Sequence, residues 1–130
     1  MTQNVEIRVS LVDGDPAIRR ARQIMLRSEL YDVRSYSTCA ALLADPVSRD
    51  YFCIVLDVRM HDVDGVAFLR EMRATGWHGR AILLDDTDPE DALVRKADRH
   101  GDKIFNRAIG DRPLVAAIAG MSEAICPPTA

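Results

Sequence analysis

The chain has 130 residues, of which 48% are hydrophobic and 28% charged, a length that fits one domain on the usual prior of roughly 100 to 200 residues per domain. Its formal net charge of -3 comes with no basic stripe, which predicts no direct nucleic-acid contact by this domain, and no apolar stretch approaches the roughly 20 residues needed to cross a bilayer. The three cysteines, Cys39, Cys53 and Cys126, are odd in number and lack the close pairing of a redox or zinc motif; with an opening stretch that lacks a charged-then-apolar leader, they predict a reducing cytoplasm.

Apolar runs and helix-period segments alternate along the chain. "VEIRVSLV" reads as a first strand, and "PAIRRARQIMLRSEL" as the helix after it, with Asp15 at the N-cap and Pro16 at the first helical position. "DVRSY" is a second strand, "TCAALLADP" a second helix and "YFCIVLD" a third strand. "GVAFLREMRATG", "RAILLD", "PEDALVRKADRHG", "KIFN" and "DRPLVAAIAGMSEA" continue the pattern, with Gly76 and Gly101 where helices should stop. Five strands alternating with five helices predict an α/β fold, a doubly wound five-stranded parallel sheet, because each crossover is long and right-handed. Residues 1–124 would form this domain, and 125–130, containing "CPPTA", a C-terminal tail or the start of a linker.

In such a sheet, with order 2-1-3-4-5, ligands bind at the carboxyl ends of strands 1 and 3, where the strand order reverses. Those ends carry Asp13 and Asp57. Two carboxylates meeting there suit a hard cation such as Mg²⁺, or an Asp acting as a nucleophile that accepts a phosphoryl group.

Over nearly its whole length the sequence resembles the receiver domain of two-component response regulators, a flavodoxin-like fold. The resemblance rests on "LVDGDPAIRR" after strand 1, "VLDVRMHDVDG" around strand 3 and the five-fold alternation. It implies that Asp57 is the phospho-acceptor, charged by a sensor histidine kinase, and that Asp13, Asp57 and the Arg59 carbonyl hold Mg²⁺. Asp64 and Gly65 would form the turn opening the third helix. It also implies that the fourth helix, strand 5 and fifth helix form a surface where partners or a second copy dock.

The departures from the family pattern are concentrated at the site. Gly14 stands where a second acid normally ligates the metal, so Mg²⁺ is expected to bind weakly or not at all. Asp15 nearby is better spent as a helix N-cap. At the end of strand 4, Asp85 replaces the Ser or Thr whose hydroxyl meets the phosphoryl group; a charge about 5 Å from a phosphoaspartate costs roughly 3 kcal/mol at an effective dielectric near 20. Asp86, beside it, reads as a solvated strand-end acid. Arg107 and Ala108 occupy the places of the usual Lys and Pro after strand 5, and Ile104 that of the aromatic switch residue, with Phe105 adjacent. Arg107 is planar, always charged and suited to bidentate pairing with Asp57 or Asp85.

His61, His78 and His100 have no ligand spacing, and Met60, Met72 and Met121 read as packing residues. Arg95, Lys96 and Arg99 read as a solvated helix face. Two mechanisms stay open. One is a pseudo-receiver that acts through protein contacts with phosphorylation at Asp57 weak or absent. The other is a conventional Mg²⁺-dependent, phospho-accepting receiver controlling a transcription output. A remote third reading, from "LVDGDPA" and "GDKIFN", is a haloacid-dehalogenase-like phosphatase with Asp13 as nucleophile and Asp15 as acid.

Overall fold

The computed structural model describes residues 6–57, 64–85 and 101–125. The elements in chain order are β1 (Arg8–Val12), α1 (Pro16–Ser28), β2 (Asp32–Tyr36), α2 (Cys39–Ala44), a 3-10 turn (Pro46–Asp50), β3 (Cys53–Asp57), α3 (Gly65–Ala74), β4 (Arg80–Asp85), β5 (Lys103–Asn106) and a C-terminal helix α4 (Asp111–Ile125). The strands form one sheet of order β2-β1-β3-β4-β5, and every neighbouring pair is parallel. This is the expected doubly wound arrangement. The segment "PEDALVRKADRHG", expected as the fourth of five helices, lies mostly outside the described residues, as do Arg59, His61, Asp86 and His100.

The sheet is covered on both faces, so its strands alternate between two apolar layers. Val9, Leu11, Val55, Ile82 and Leu84 pack with Leu26 of α1 and with Leu114, Ile118 and Met121 of α4. Their strand neighbours Val12, Ile54, Leu56, Ala81 and Leu83 pack on the other face with Leu42 of α2 and with Phe68, Leu69 and Met72 of α3. Met72 and Met121 are thus core residues, as the sequence suggests. Cys53 is buried and its thiol pKa is pushed up to about 12 by desolvation, which keeps it an inert packing group.

Short side chains start the helices where the sequence places them. The Asp15 carboxylate accepts from the Ala17 and Ile18 amides at 2.9 and 3.2 Å, and Pro16 follows at the first helical position. Asp64 caps α3 in the same way, accepting from Val66 and Ala67, both at 3.1 Å. Thr38 caps α2 through the Ala41 amide at 3.1 Å. Gly76 closes α3 with φ +98°, a backbone region costly for any residue with a Cβ.

The end of α1 breaks that rule. Leu30 has φ +66°. Its amide donates to the Arg27 carbonyl at 2.9 Å, and the Tyr31 amide donates to the Leu26 carbonyl at 3.4 Å. These two bonds make a Schellman motif, whose left-handed position is normally glycine. The leucine side chain is 86% exposed, so it contributes little burial in return for the strained backbone. Leu30→Gly is expected to raise stability by about 1 kcal/mol, read as a higher urea midpoint; an unchanged or lower midpoint would contradict this account of the α1 terminus.

Candidate functional site

Parallel register brings the two strand-end acids together. Val12 of β1 is paired with Leu56 of β3, so Asp13 and Asp57, each the next residue, emerge side by side. Both are buried, Asp13 to 3% exposure and Asp57 to 1%. Burial pushes the Asp13 pKa above the ordinary carboxylate range; the Asp57 charge pushes in the same direction, while the Asp15 amide and the Arg22 guanidinium oppose it.

Two arginines answer these charges. Arg107, just past β5, aims its guanidinium at Asp57: Nη2 lies 2.8 Å from Oδ1, and Nε donates to Oδ1 at 3.0 Å and to Oδ2 at 3.1 Å. Asp57 is one of the two partners expected for the Arg107 side chain, and the Arg107 amide donates to the Asp85 carbonyl at 2.9 Å. Arg22, from the second turn of α1, places a single Nη1 between both acids, 2.8 Å from Asp13 Oδ2 and 3.4 Å from Asp57 Oδ2. The remaining oxygen, Asp13 Oδ1, accepts the Asp15 amide at 2.9 Å. Two carboxylates thus face two guanidiniums, and each of the four carboxylate oxygens accepts an N–H.

The helix register explains how Arg22 arrives. The Asp15 cap fixes where α1 begins, and Arg19, one turn before Arg22, donates from Nη1 to the Asp13 carbonyl at 2.8 Å. Residues three apart share a helix face, so both arginines are presented to the β1 end. The sequence reading did not single out Arg22. The signal was available in "RRAR", a run of basic residues on the first helix directly behind an acid at a strand end.

The other expected positions surround this cluster. Ile104 lies on β5 and packs toward the α2–α3 layer, while its neighbour Phe105 packs toward the α1–α4 layer. Ala108 follows Arg107, and its amide donates to Asn106 Oδ1 at 2.8 Å. Asp85 ends β4 opposite Asn106. Gly14 is exposed and adds no side chain to the cluster. His78 is exposed. Asp15 is committed to its cap, which leaves the phosphatase reading without its acid.

Among the described residues no group of three or more His, Cys, Asp or Glu side chains could hold a metal ion. Mg²⁺ demands near-octahedral oxygen ligands at about 2.0–2.1 Å and dehydrates reluctantly. With every carboxylate oxygen of Asp13 and Asp57 accepting from nitrogen, and with Gly14 at the neighbouring position, the residues as arranged do not fit that ion.

Residues 9–119 match the family model described as the response regulator receiver domain. The chain belongs to that family. It is a signalling module, and receivers as a class bind Mg²⁺ in the acidic pocket and interact with histidine kinases and other proteins. Curated relatives include the transcriptional regulatory protein FixJ of Azorhizobium caulinodans, 28% identical over 110 residues, which cover 85% of this chain and 52% of the relative. Another is the transcriptional regulatory protein TrcR of Mycobacterium tuberculosis, 29% identical over 117 residues, covering 88% of this chain and 45% of the relative. The receiver thus spans about half the length of the curated relatives it matches. Among solved structures, the beryllofluoride-activated DrrB receiver domain superposes with TM-score 0.76 at 23% identity, covering 92% of this chain and 99% of that one. Full-length FixJ from B. japonicum superposes with TM-score 0.80 at 22% identity, covering 95% of this chain and 61% of that one. These likenesses establish the flavodoxin-like receiver fold. No helix among the described residues is long and apolar enough to cross a membrane.

Breaking the main ion pair has a pH signature. Arg107→Ala removes the closest guanidinium from the buried Asp57 carboxylate, and is expected to destabilise the domain by on the order of 3 kcal/mol at neutral pH. A carboxylate whose folded pKa is raised, as for Asp13, contributes stability below its unfolded pKa and loses it as pH rises through the folded value. A buried carboxylate that has lost its guanidinium partner is costly in its charged form. The deficit of Arg107→Ala against wild type should therefore be largest at neutral pH and shrink as pH falls through the carboxylate range, measured by urea unfolding at several pH values. A deficit that stays constant or grows on acidification would contradict this electrostatic account.

Proposed function

We propose that this receiver works through protein–protein contacts in one held conformation, with phosphorylation at Asp57 weak or absent. The observation that carries this reading is the Arg107–Asp57 pair, with Nη2 and Nε both on the carboxylate. A phospho-acceptor must present a free oxygen to an incoming phosphoryl group. Asp57 instead spends both oxygens on nitrogen donors and is 1% exposed. Phosphoryl transfer is almost entirely positioning and charge neutralisation. Gly14 removes a metal ligand, Asp85 supplies a negative charge where a hydroxyl would help, and Arg107 neutralises Asp57 in advance.

In this reading Asp57 keeps the phospho-acceptor's position, and Asp13, Asp57 and the Arg59 carbonyl keep those of the Mg²⁺ ligands, with weak affinity. Asp85, Ile104, Arg107 and Ala108 occupy the switch positions in one fixed state. Residues 1–124 form the receiver unit, and 125–130 a tail or the start of a linker. The partner is a sensor histidine kinase or another signalling protein, with a second copy able to dock on the surface of the fourth helix, β5 and the C-terminal helix. The domain itself makes no nucleic-acid contact and works in the cytoplasm.

A second reading draws on the relatives named transcriptional regulatory proteins: a conventional Mg²⁺-dependent receiver that controls transcription through a further domain. Acetyl phosphate with Mg²⁺, followed by intact mass, separates the two. The expected outcome is an unmodified chain, with amide signals of β4 and β5 unmoved by beryllofluoride. Asp85→Thr with Arg107→Lys should partly restore phosphorylation only when Gly14→Asp is added. A stoichiometric phosphoaspartate at Asp57 of the wild-type chain, stable for minutes, would establish the conventional switch instead.

A further inference from the structure

The acidic pocket has a second basic residue that plays a different part from Arg107. Arg107 grips one carboxylate from the far side. Arg22 reaches between the two, with one nitrogen 2.8 Å from Asp13 Oδ2 and 3.4 Å from Asp57 Oδ2. A nitrogen shared by one oxygen from each strand end occupies the place from which a positive centre can neutralise both acids together. We infer that Arg22 is a tethered cation built into this pocket, and that it sets the site's rejection of divalent metal ions. The inference concerns the site just described and deepens the reading of it as a pocket held without a phosphoryl group.

Three features support a resident rather than a passing contact. The Arg22 side chain is only 14% exposed and Asp57 beneath it only 1%, so solvent screening of the pair is slight. The helix that carries Arg22 is fixed at its start by the Asp15 cap and Pro16, and one turn earlier Arg19 ties α1 to the Asp13 carbonyl. The guanidinium is also weakly hydrated compared with a small cation and keeps its charge at every accessible pH. A metal ion entering from solvent must shed water and also wait for Arg22 to leave. Its apparent dissociation constant is then its intrinsic one divided by the small fraction of molecules with Arg22 swung out. Gly14 deprives the ion of a ligand; Arg22 competes for the ligands that are left. The two obstacles are separate, so they can be removed separately.

The test uses the wild-type chain, Arg22→Gln, and Arg20→Ala, a control at an exposed position of the same helix. Mn²⁺ is titrated in and read by paramagnetic broadening of the Asp13 and Asp57 amide signals, while thermal melting is followed with and without Mg²⁺. Wild type and Arg20→Ala should show no saturable broadening at millimolar Mn²⁺ and no Mg²⁺-dependent shift in Tm. Arg22→Gln should bind Mn²⁺ about tenfold or more tightly, and its Tm should rise with Mg²⁺. Wild type that saturates at submillimolar Mn²⁺, or Arg22→Gln that matches wild type, overturns the inference. Should Arg22→Gln fold poorly, Gly14→Asp alone and Gly14→Asp with Arg22→Lys give a second comparison. Lys keeps the charge, but its ammonium ends one bond short of the Nη1 that lies between both acids and is more strongly hydrated, so the double variant should gain more Mn²⁺ affinity than Gly14→Asp alone. Equal gains overturn the inference. Acetyl phosphate treatment of the wild-type chain separates the two ideas. Phosphorylated wild type beside a metal-binding Arg22→Gln defeats the held-state reading and keeps Arg22 as the tethered cation. Unphosphorylated wild type beside a metal-blind Arg22→Gln does the reverse.

Discussion

Two carboxylates lie side by side under almost no water, and the rest of the site follows from the need to neutralise them. Asp13 and Asp57 are brought together by the pairing of β1 with β3, a consequence of apolar strands seeking the centre of a parallel sheet. Neither acid is turned to solvent: each sits at a strand end and is at most 3% exposed. Unanswered, two such charges would raise each other's pKa and weaken the fold. The answer in this receiver is a pair of guanidiniums, one from the first helix and one from the segment after the last strand. Each extends from a different part of the chain, so neutralising the acids also ties α1, β1, β3 and β5 together at one end of the sheet.

Taken singly, the substitutions at Gly14, Asp85, Arg107 and Ala108 look like scattered losses. Charge gives them a common reason. Gly14 brings no side chain to the pocket, and the cations that meet Asp13 and Asp57 are borne by the protein itself. Arginine suits that position better than lysine because its fork meets both oxygens of a carboxylate at once, as Nε and Nη2 of Arg107 do on Asp57. Ala108 in turn leaves an amide N–H where a proline would have none, and that amide donates to Asn106. The loop after β5 is therefore held by its own hydrogen bonds as well as by the ion pair.

The fold was legible because it depends on period and punctuation. The strand runs, the Asp15, Asp64 and Thr38 caps and the Gly76 stop all express local preferences that the packing agrees with. The acidic pair was legible because topology alone places strand ends together, and Arg107 because it stood at a position with a family expectation. Arg22 was not, since a basic residue on an amphipathic helix is by default a solvated one, and only the three-dimensional path of α1 past the β1 end shows its reach. Leu30 was hidden for a related reason. Nothing in a leucine announces a left-handed backbone, and the Schellman hydrogen bonds that impose it are set by where α1 must turn to enter β2. The 3-10 turn at Pro46–Asp50 fell in the gap between the expected second helix, which ended at Pro46, and the third strand; Asp45 caps it through the Val47 amide at 3.0 Å, and Pro46 starts it.

The opposite end of the sheet carries another buried arginine–carboxylate pair, which no sequence motif announces. Asp102, just before β5 and 1% exposed, accepts from Arg73 Nη2 on both oxygens, at 2.8 and 2.9 Å, and from the Ala81 amide at 2.8 Å. The Arg73 guanidinium lies 5.4 Å from the centre of the buried Trp77 ring, close enough for a cation–π contact. β5 is a four-residue edge strand, and none of its residues is fully buried. Apolar burial alone holds such a strand weakly. Asp102 fixes where it begins, through α3 and β4, and Arg107 fixes where it ends, through β3. With both ends set by buried ion pairs, sliding or rotating β5 would expose or strand a charge at one end or the other. A receiver that signals by moving this region would need those pairs to be breakable. Here the carboxylates of both pairs are 1% exposed, so breaking either pair carries the cost of an uncompensated buried charge.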